Sequence, residues 1–386
     1  MIRFYYYHVV YVGLMNIMML VPALLISHRF SGGVSAIPLA IAAGTLIAYL
    51  TSSCFQRFPG LGLPEIFDRF LPRWLACFLN GIGIVIWATG GIIVLYSYSN
   101  TIGLFFNPET SPYINLTIMA IACIWAASRC SRSVQFTNEM LLILSTPMIF
   151  WILLKAMLSP WLDWDAIWIV ANQVTKPPSA ISFYAATFVF SGAMNATLFN
   201  RLTKPGYKLR YRWIIPLIGT MFLLVSFFVP IGFHGTQAVG NYLYIWSVTT
   251  DCLIMKYGFI QRVLYLFLLL YTLLSLLFVM NTWHTAMEFF KACFRRYPPA
   301  TDQPRVPAVN WYVCIALAAI TFAYAYFTND LRNRILSEIW LVSRFFIEVI
   351  LTALLLLFVY MDRRSKQRRR APPKSSGNPA SKATGS

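Results

Sequence analysis

Two ionisable residues four positions apart stand out within the long apolar stretches of this 386-residue chain. Arg344 and Glu348 would share one face of a helix, where a guanidinium and a carboxylate neutralise one another. Inside a membrane such a pair is a functional candidate by default. Because one helix supplies both partners, the favoured interpretation is a structural salt bridge or an outer gate. His284 and Glu288 are expected at the inner end of another apolar stretch, beside lipid headgroups.

The other residue types with catalytic or metal-binding potential form no recognisable pattern. The four histidines lie far apart in sequence, which leaves metal catalysis unsupported; they are His8, His28, His234 and His284. The seven cysteines occur without a C-x-x-C pair, so neither a disulfide framework nor a zinc site is indicated. A phosphate-binding glycine loop is also missing from the sequence. We therefore expect neither an enzyme nor a resident cofactor.

One short pattern, Gly-x-Met-Asn, occurs twice, at 13–16 and at 192–195. Each copy falls in the first apolar stretch of a group of five. Transporters often consist of repeats whose equivalent helices are interrupted at mid-membrane, where freed backbone groups coordinate the substrate. Glycine tolerates such a break, so Pro22 and Gly192 are the predicted interruptions, and Asn16 or Asn195 could satisfy freed backbone groups. The alternative is a coincidence, or helix packing through small residues.

Ten apolar stretches would position these residues, each with the roughly 20 residues that a membrane-spanning helix needs. Hydrophobic residues make up 58% of the chain and charged residues 11%, against about 25% charged residues in soluble domains. The predicted fold class is therefore an all-α polytopic membrane protein. The expected spans lie near 5–27, 34–55, 74–105, 112–129, 139–158, 180–200, 212–234, 257–283, 309–327 and 335–360.

The net charge of +18 is concentrated in short connections and near the C-terminus. Connections rich in basic residues alternate with poorer ones, and with ten spans both termini are predicted to lie in the cytoplasm. One transmembrane domain is expected over 1–362, with repeats near 5–158 and 180–360. The basic tail, 363–386, is predicted to be disordered and to lie beside the anionic surface of the lipid bilayer. Nucleic-acid binding is not expected.

Several short runs carry a resemblance to a known family. They are MLVPAL at 19–24, RFP at 57–59 with LPEIF at 63–67 and WL at 74–75, YKLRY at 207–211, and FIQR at 259–262. Over most of 5–360 the chain resembles the membrane-embedded, permease-like B subunits of nutrient germinant receptors in endospore-forming bacteria. Those subunits belong to the amino acid–polyamine–organocation transporter superfamily.

The resemblance implies a leucine-transporter-like fold of two inverted five-helix repeats, in the spore inner membrane or bacterial cytoplasmic membrane. It implies a pocket for a small, amino acid-like nutrient among helices 1, 3, 6 and 8. It also implies companion A and C (lipoprotein) subunits as partners. By position, the pocket residues would be Met15, Asn16, Ile86, Trp87, Gly90, Phe190, Ser191, Gly192, Tyr271 and Ser275.

The sequence departs from the family pattern at three places. Met15 to Ile17 replace the small glycines before the helix-1 proline, the sixth helix lacks its carboxylate at Ala193, and Gln261 replaces a glutamate. Fewer charges favour a more apolar ligand or a copy that has lost sensing. The leading hypothesis is a receptor subunit that binds a nutrient. Its alternatives are an autonomous secondary amino acid transporter and a scaffold subunit without a ligand.

Overall fold

The computed structural model describes residues 2–106, 108–254, 262–294, 297–302 and 306–370. Within these ranges the chain forms fifteen α-helices joined by turns and four short 3-10 segments. The helices are α1 (Ile2–Met15), α2 (Val21–Ser27), α3 (Gly33–Phe55), α4 (Leu63–Phe70), α5 (Arg73–Phe105), α6 (Pro112–Ala127), α7 (Ser131–Met157), α8 (Trp164–Ala171), α9 (Ala180–Ala186), α10 (Gly192–Asn195), α11 (Ile214–His234), α12 (Ile245–Asp251), α13 (Val263–Ala292), α14 (Ala308–Phe327) and α15 (Asp330–Arg370).

Seven of the described helices are long and apolar enough to cross a membrane: α3, α5, α7, α11, α13, α14 and α15. Two shorter apolar stretches, α6 and Ala180–Phe190, accompany them. The all-α class and the multi-pass character are thus confirmed. The count of ten spans stays a prediction, because the first and sixth predicted spans consist of shorter pieces and α6 has only 16 residues.

Helices α7 and α13 extend further than the sequence predicts. The fifth expected span starts at 139, whereas α7 starts at Ser131, and the eighth ends at 283, whereas α13 ends at Ala292. The expected start of the eighth span, 257–261, lies outside the described residues. Polar residues in the added turns, such as Gln135 and Thr285, are buried against other helices. Because these polar side chains are surrounded by protein rather than lipid, the helices can continue through them.

The first predicted span is interrupted between α1 and α2, at residues 16–20. Leu20 adopts the left-handed conformation (φ 60°), which is unfavourable for a residue with a side chain. Pro22 follows in the first turn of α2, where its missing N–H removes no hydrogen bond. The interruption therefore lies directly before the proline that predicts it.

The sixth predicted span is also broken. After α9 the chain forms a 3-10 segment (Thr187–Phe190), the single-turn α10 and a second 3-10 segment (Leu198–Leu202). We call residues 187–202 the interrupted segment. A Cβ at Gly192 would lie 2.6 Å from the His8 carbonyl oxygen and closer still to Val9 Cα. Only glycine therefore allows α10 to pack directly on the backbone of α1.

Contacts between connections divide the molecule into two ends. Arg132 and Asp302, from two connections predicted to be cytoplasmic, form a salt bridge of 2.5 Å. At the other end the Lys176 Nζ donates to the Phe30 carbonyl oxygen at 2.7 Å. We call the first the basic end, because the arginine-rich connections meet there.

Helix α15 continues well past the expected membrane boundary at 362. It has 41 residues and therefore a length of about 60 Å. Asp362 accepts salt bridges from Arg69 (3.1 Å) and Lys366 (2.6 Å), the second within α15 itself. Residues 363–370 are thus helical, whereas the sequence predicts disorder from 363 onward. Residues 371–386 lie outside the described part.

Candidate functional site

A small cavity lies inside the helix bundle, between α5, the interrupted segment, α13 and α15. We call it the central cavity. About 20 Å³ is open to the centres of water-sized spheres, more than the roughly 10–15 Å³ that one water needs. The lining residues are Ile86, Trp87, Phe188, Ser191, Met194, Asn195, Phe278, Thr282, Trp340, Arg344, Ile347, Glu348 and Leu351.

Arg344 is the most connected polar residue of the central cavity and is 3% exposed. Its guanidinium donates to Glu348 Oε2 at 2.8 Å, to Thr187 Oγ1 at 2.8 Å and to the Tyr184 carbonyl oxygen at 3.0 Å. It also donates to the Ser191 hydroxyl. Charge-assisted hydrogen bonds of this kind are stronger than neutral ones. Arg344 therefore joins α15 to α9 and to the interrupted segment, which a salt bridge within one helix would not do.

Tryptophan side chains form much of the remaining wall. The Trp87 indole N–H donates to Asn195 Oδ1 at 2.9 Å, and the Trp340 N–H donates to the Ile86 carbonyl oxygen at 2.8 Å. Both indole donors are thus satisfied within the protein, and their apolar faces stay available for packing. Two opposite charges, one amide and aromatic walls suit a small amphipathic solute better than a bare ion.

Four of the ten predicted pocket residues lie at the central cavity. Ile86, Trp87 and Ser191 line it. Gly90 packs against Trp340, which lines the cavity, since a Cβ at Gly90 would approach the Trp340 ring to 2.8 Å.

The other six predicted residues lie elsewhere in the protein interior. Asn16 Nδ2 donates to Ser226 Oγ at 2.8 Å, so it fastens the first interruption to α11. Phe190 packs on glycines of α3 and α11, and the Tyr271 hydroxyl donates to the Leu14 carbonyl oxygen at 3.3 Å. Gly192 contacts α1. Met15 and Ser275 are fully buried.

The tenth predicted span contributes more to the cavity wall than the sequence indicates, because the resemblance points to helices 1, 3, 6 and 8. Trp340, Arg344 and Glu348 follow one another at four-residue intervals on α15, and all three line the central cavity. That spacing places them on one helix face. The position of Trp340 one turn before the Arg344–Glu348 pair could therefore have predicted from sequence that this face of α15 lines a cavity.

A second group of charges is buried towards the basic end. Arg201 donates to Glu288 at 2.5 Å and to Glu65 at 2.8 Å, and Lys291 pairs with Glu288 at 2.5 Å. We call these four residues the ion cluster. The prediction that His284 and Glu288 lie beside headgroups is wrong, since they are 0% and 2% exposed. The longer α13 carries both under the cover of neighbouring elements.

Comparison with curated proteins gives no match for this chain. The family model described as spore germination protein, that of the spore permeases, matches residues 12–334. This range is well over half of the 386 residues. It includes both interruptions, α5 and α13, and it ends before Arg344 and Glu348. As the resemblance predicted, the chain belongs to the spore germination permease family and is a multi-pass membrane protein of that family.

Proposed function

We propose that this protein is the membrane-embedded subunit of a spore nutrient germinant receptor and binds a small solute in the central cavity. The observation that carries this proposal is the position of Arg344. It lines the cavity and also holds the start of the interrupted segment through Ser191 and Thr187. A solute that competes for the guanidinium must therefore change how this segment is held.

Binding would act by shifting an equilibrium between two arrangements of the interrupted segment. A ligand shifts such an equilibrium only by its difference in affinity for the two states. The segment consists of single turns and 3-10 pieces rather than one continuous helix, so its hydrogen bonds can change locally. Because the cavity has room for little more than water, a nutrient-bound state needs side chains to move apart. Companion A and C subunits would receive the change.

We further propose that the two groups of five predicted spans form an inverted repeat. Two observations support this. The first and sixth predicted spans are both broken, and the Gly-x-Met-Asn pattern lies beside each break: the first copy covers the end of α1, and the second copy forms α10. Discontinuous helices in corresponding positions of two halves are typical of repeat-built transporters, with the solute bound near the breaks.

The decisive experiment is gentle extraction of the tagged chain from sporulating cells, followed by mass spectrometry of the proteins that co-purify. Recovery with a membrane A-type subunit and a lipoprotein supports the receptor assignment. Recovery alone in a monodisperse peak contradicts it. In that case solute uptake by the purified chain in liposomes would establish an autonomous transporter, the alternative function.

A further inference from the structure

A second cavity lies nearer the basic end, between α1, α3, the interrupted segment and the connection that follows it. About 40 Å³ is open there to the centres of water-sized spheres, twice the room of the central cavity. A cavity of roughly 150 Å³ binds benzene, so a ring-sized guest enters the second cavity only when its side chains move apart. The interrupted segment separates the two. Ser191 and Asn195 line the central cavity, whereas Ala196 and Thr197 line the second cavity.

The second cavity contains a buried hydroxyl that the protein leaves unpaired. Thr197 is 1% exposed, and its Oγ1 has no hydrogen-bond partner in the described part of the chain. Thr187 and Thr282, by contrast, donate to carbonyl oxygens three or four residues earlier, at 2.7 and 2.9 Å. A buried polar group without a partner is unfavourable. The Thr197 hydroxyl is therefore available to a molecule within the cavity.

The Tyr5 hydroxyl is a second available group on the same lining. Among the described residues it has no hydrogen-bond partner within normal distance and angle. Its neighbour Ser52 donates to the Tyr49 carbonyl oxygen at 3.0 Å. The other polar groups are occupied. Tyr207, for example, donates to Asn200 Oδ1 at 2.8 Å. Two hydroxyls thus remain for a guest.

The lining also determines the charge and shape of that guest. The residues described around the second cavity include no Asp, Glu, Lys or Arg. Burial raises the pKa of Tyr207 to about 12, so this phenol is neutral at physiological pH. Arg212 lies close enough to act on Tyr5 and Tyr207, but its guanidinium already donates to Ser53 Oγ, outside the lining, at 2.7 Å. Since a buried charge without a partner is very unfavourable, we expect an uncharged guest. Rings of Phe55, Phe199 and Tyr5 provide flat apolar walls.

We propose that the second cavity is a binding site for a small, uncharged, ring-containing molecule that hydrogen-bonds to Thr197 and Tyr5. Its occupancy alters the central cavity, because both cavities share the interrupted segment. Binding by itself does not depend on the proposed receptor function. Only the regulatory meaning of the coupling rests on it. By thermodynamic linkage, a solute in the central cavity would change the affinity of the second cavity by the same factor.

The test uses the full chain in lipid nanodiscs and 4-fluorophenol as the probe, observed by ¹⁹F NMR. Wild-type protein should bind the probe saturably. Ala196→Leu, which fills the cavity, should weaken binding more than tenfold, and Thr197→Val, which removes one hydroxyl and keeps the shape, about fivefold. Thr321→Val, the same change at a buried threonine of α14 that lines neither cavity, should leave probe affinity unchanged.

Partitioning of the probe into lipid is not saturable and is equal for all variants, so it does not imitate a site. Equal saturable binding by wild type and Ala196→Leu, or no saturable binding at all, would overturn the proposal. If Ala196→Leu does not fold, Tyr5→Phe combined with Thr197→Val must lose affinity instead. This pair removes only hydroxyls, and unchanged affinity there overturns the site equally.

Coupling between the cavities has a separate readout. In protein labelled with 5-fluorotryptophan, the Trp87 signal, assigned with Trp87→Phe, should shift as the second cavity fills. Trp87 reports on the interrupted segment because it donates to Asn195. Saturable binding with an unmoved Trp87 signal would overturn the coupling. The failure of the receptor function itself would appear elsewhere, in the co-purification experiment.

Discussion

Arg344 is the single residue on which the central cavity depends most. It contacts Glu348 within α15 and three groups of the sixth predicted span. Within a bilayer, ionisable residues typically face the protein interior and pair with one another, as this pair does. The four-residue spacing indicates only the contact with Glu348. The other three contacts are with residues far away in sequence, which the spacing cannot indicate.

Replacing Arg344 by glutamine should lower the free energy of unfolding by about 3–5 kcal/mol, because Glu348 would stay buried without a partner. The double variant Arg344→Gln/Glu348→Gln should regain much of this stability, since no charge is then uncompensated. We expect both variants to lose the nutrient response of the spore. The change in stability is measured by unfolding the purified variants in the same detergent. The nutrient response is measured by germination of spores that carry each variant. A double variant as unstable as the single one would contradict the explanation.

Glu288 of the ion cluster provides a second comparison at this scale. Its side chain is 1% exposed and pairs with both Arg201 and Lys291, whereas the Glu65 side chain is 27% exposed. Glu288→Gln should therefore cost about 3–5 kcal/mol of stability. The matched change Glu65→Gln should cost about 1 kcal/mol or less, since water shares that charge. Thermal unfolding of the two purified variants measures this difference in stability. A loss of stability for Glu65→Gln equal to or larger than that for Glu288→Gln would contradict the prediction.

At the scale of elements, the interrupted segment is held at both of its ends by buried arginines. Arg344 bonds to Thr187 and Ser191 near its start, and Arg201 near its end pairs with Glu288 of α13. Between them lies α10, which packs on α1 through Gly192. In the proposed function, this segment would transmit a change in the central cavity towards the basic end.

Gly192→Ala tests this packing, because the added Cβ would meet the backbone of α1 at distances no real Cβ shows. Backbone cannot rotate away as a side chain can, so α1 and α10 must separate. We expect loss of the nutrient response while membrane insertion persists. Gly81→Ala is the matched control, since its Cβ would meet nothing within 4 Å. In helix α5 it should be neutral or stabilise by up to about 1 kcal/mol. A normal response of Gly192→Ala spores at normal abundance would exclude this role.

The whole molecule should place both termini on the same, cytoplasmic side. The arginine-rich connections meet at one end, and basic residues favour the cytoplasmic side of a membrane. Tags at the two ends should therefore both resist protease in intact protoplasts and both be cleaved in inside-out vesicles. Tags on opposite sides would require an odd number of spans and would exclude the five-plus-five arrangement.

Much of the architecture could be predicted from local sequence properties. Long apolar stretches predict membrane helices because the bilayer core leaves no other partner for the backbone. Pro22 and Gly192 predicted two interruptions, and both were found beside them. Helix ends were less predictable where polar residues lie inside the bundle. Ser131 and Ala292 mark ends that hydropathy placed several residues away, because burial against protein satisfies the polar groups between.

By itself, the sequence determined the membrane class, the family and the positions of both broken helices, since these follow from composition, short motifs and local backbone chemistry. Only the tertiary structure decided which side chains meet. Arg344 reaches Thr187 across 157 positions of sequence, and Arg201 reaches Glu288 across 87. Such contacts depend on how helices cross and rotate against one another, which no local pattern encodes. For the same reason Phe190 and Tyr271, placed in the pocket by position along the chain, pack into the core, while Trp340 lines the cavity.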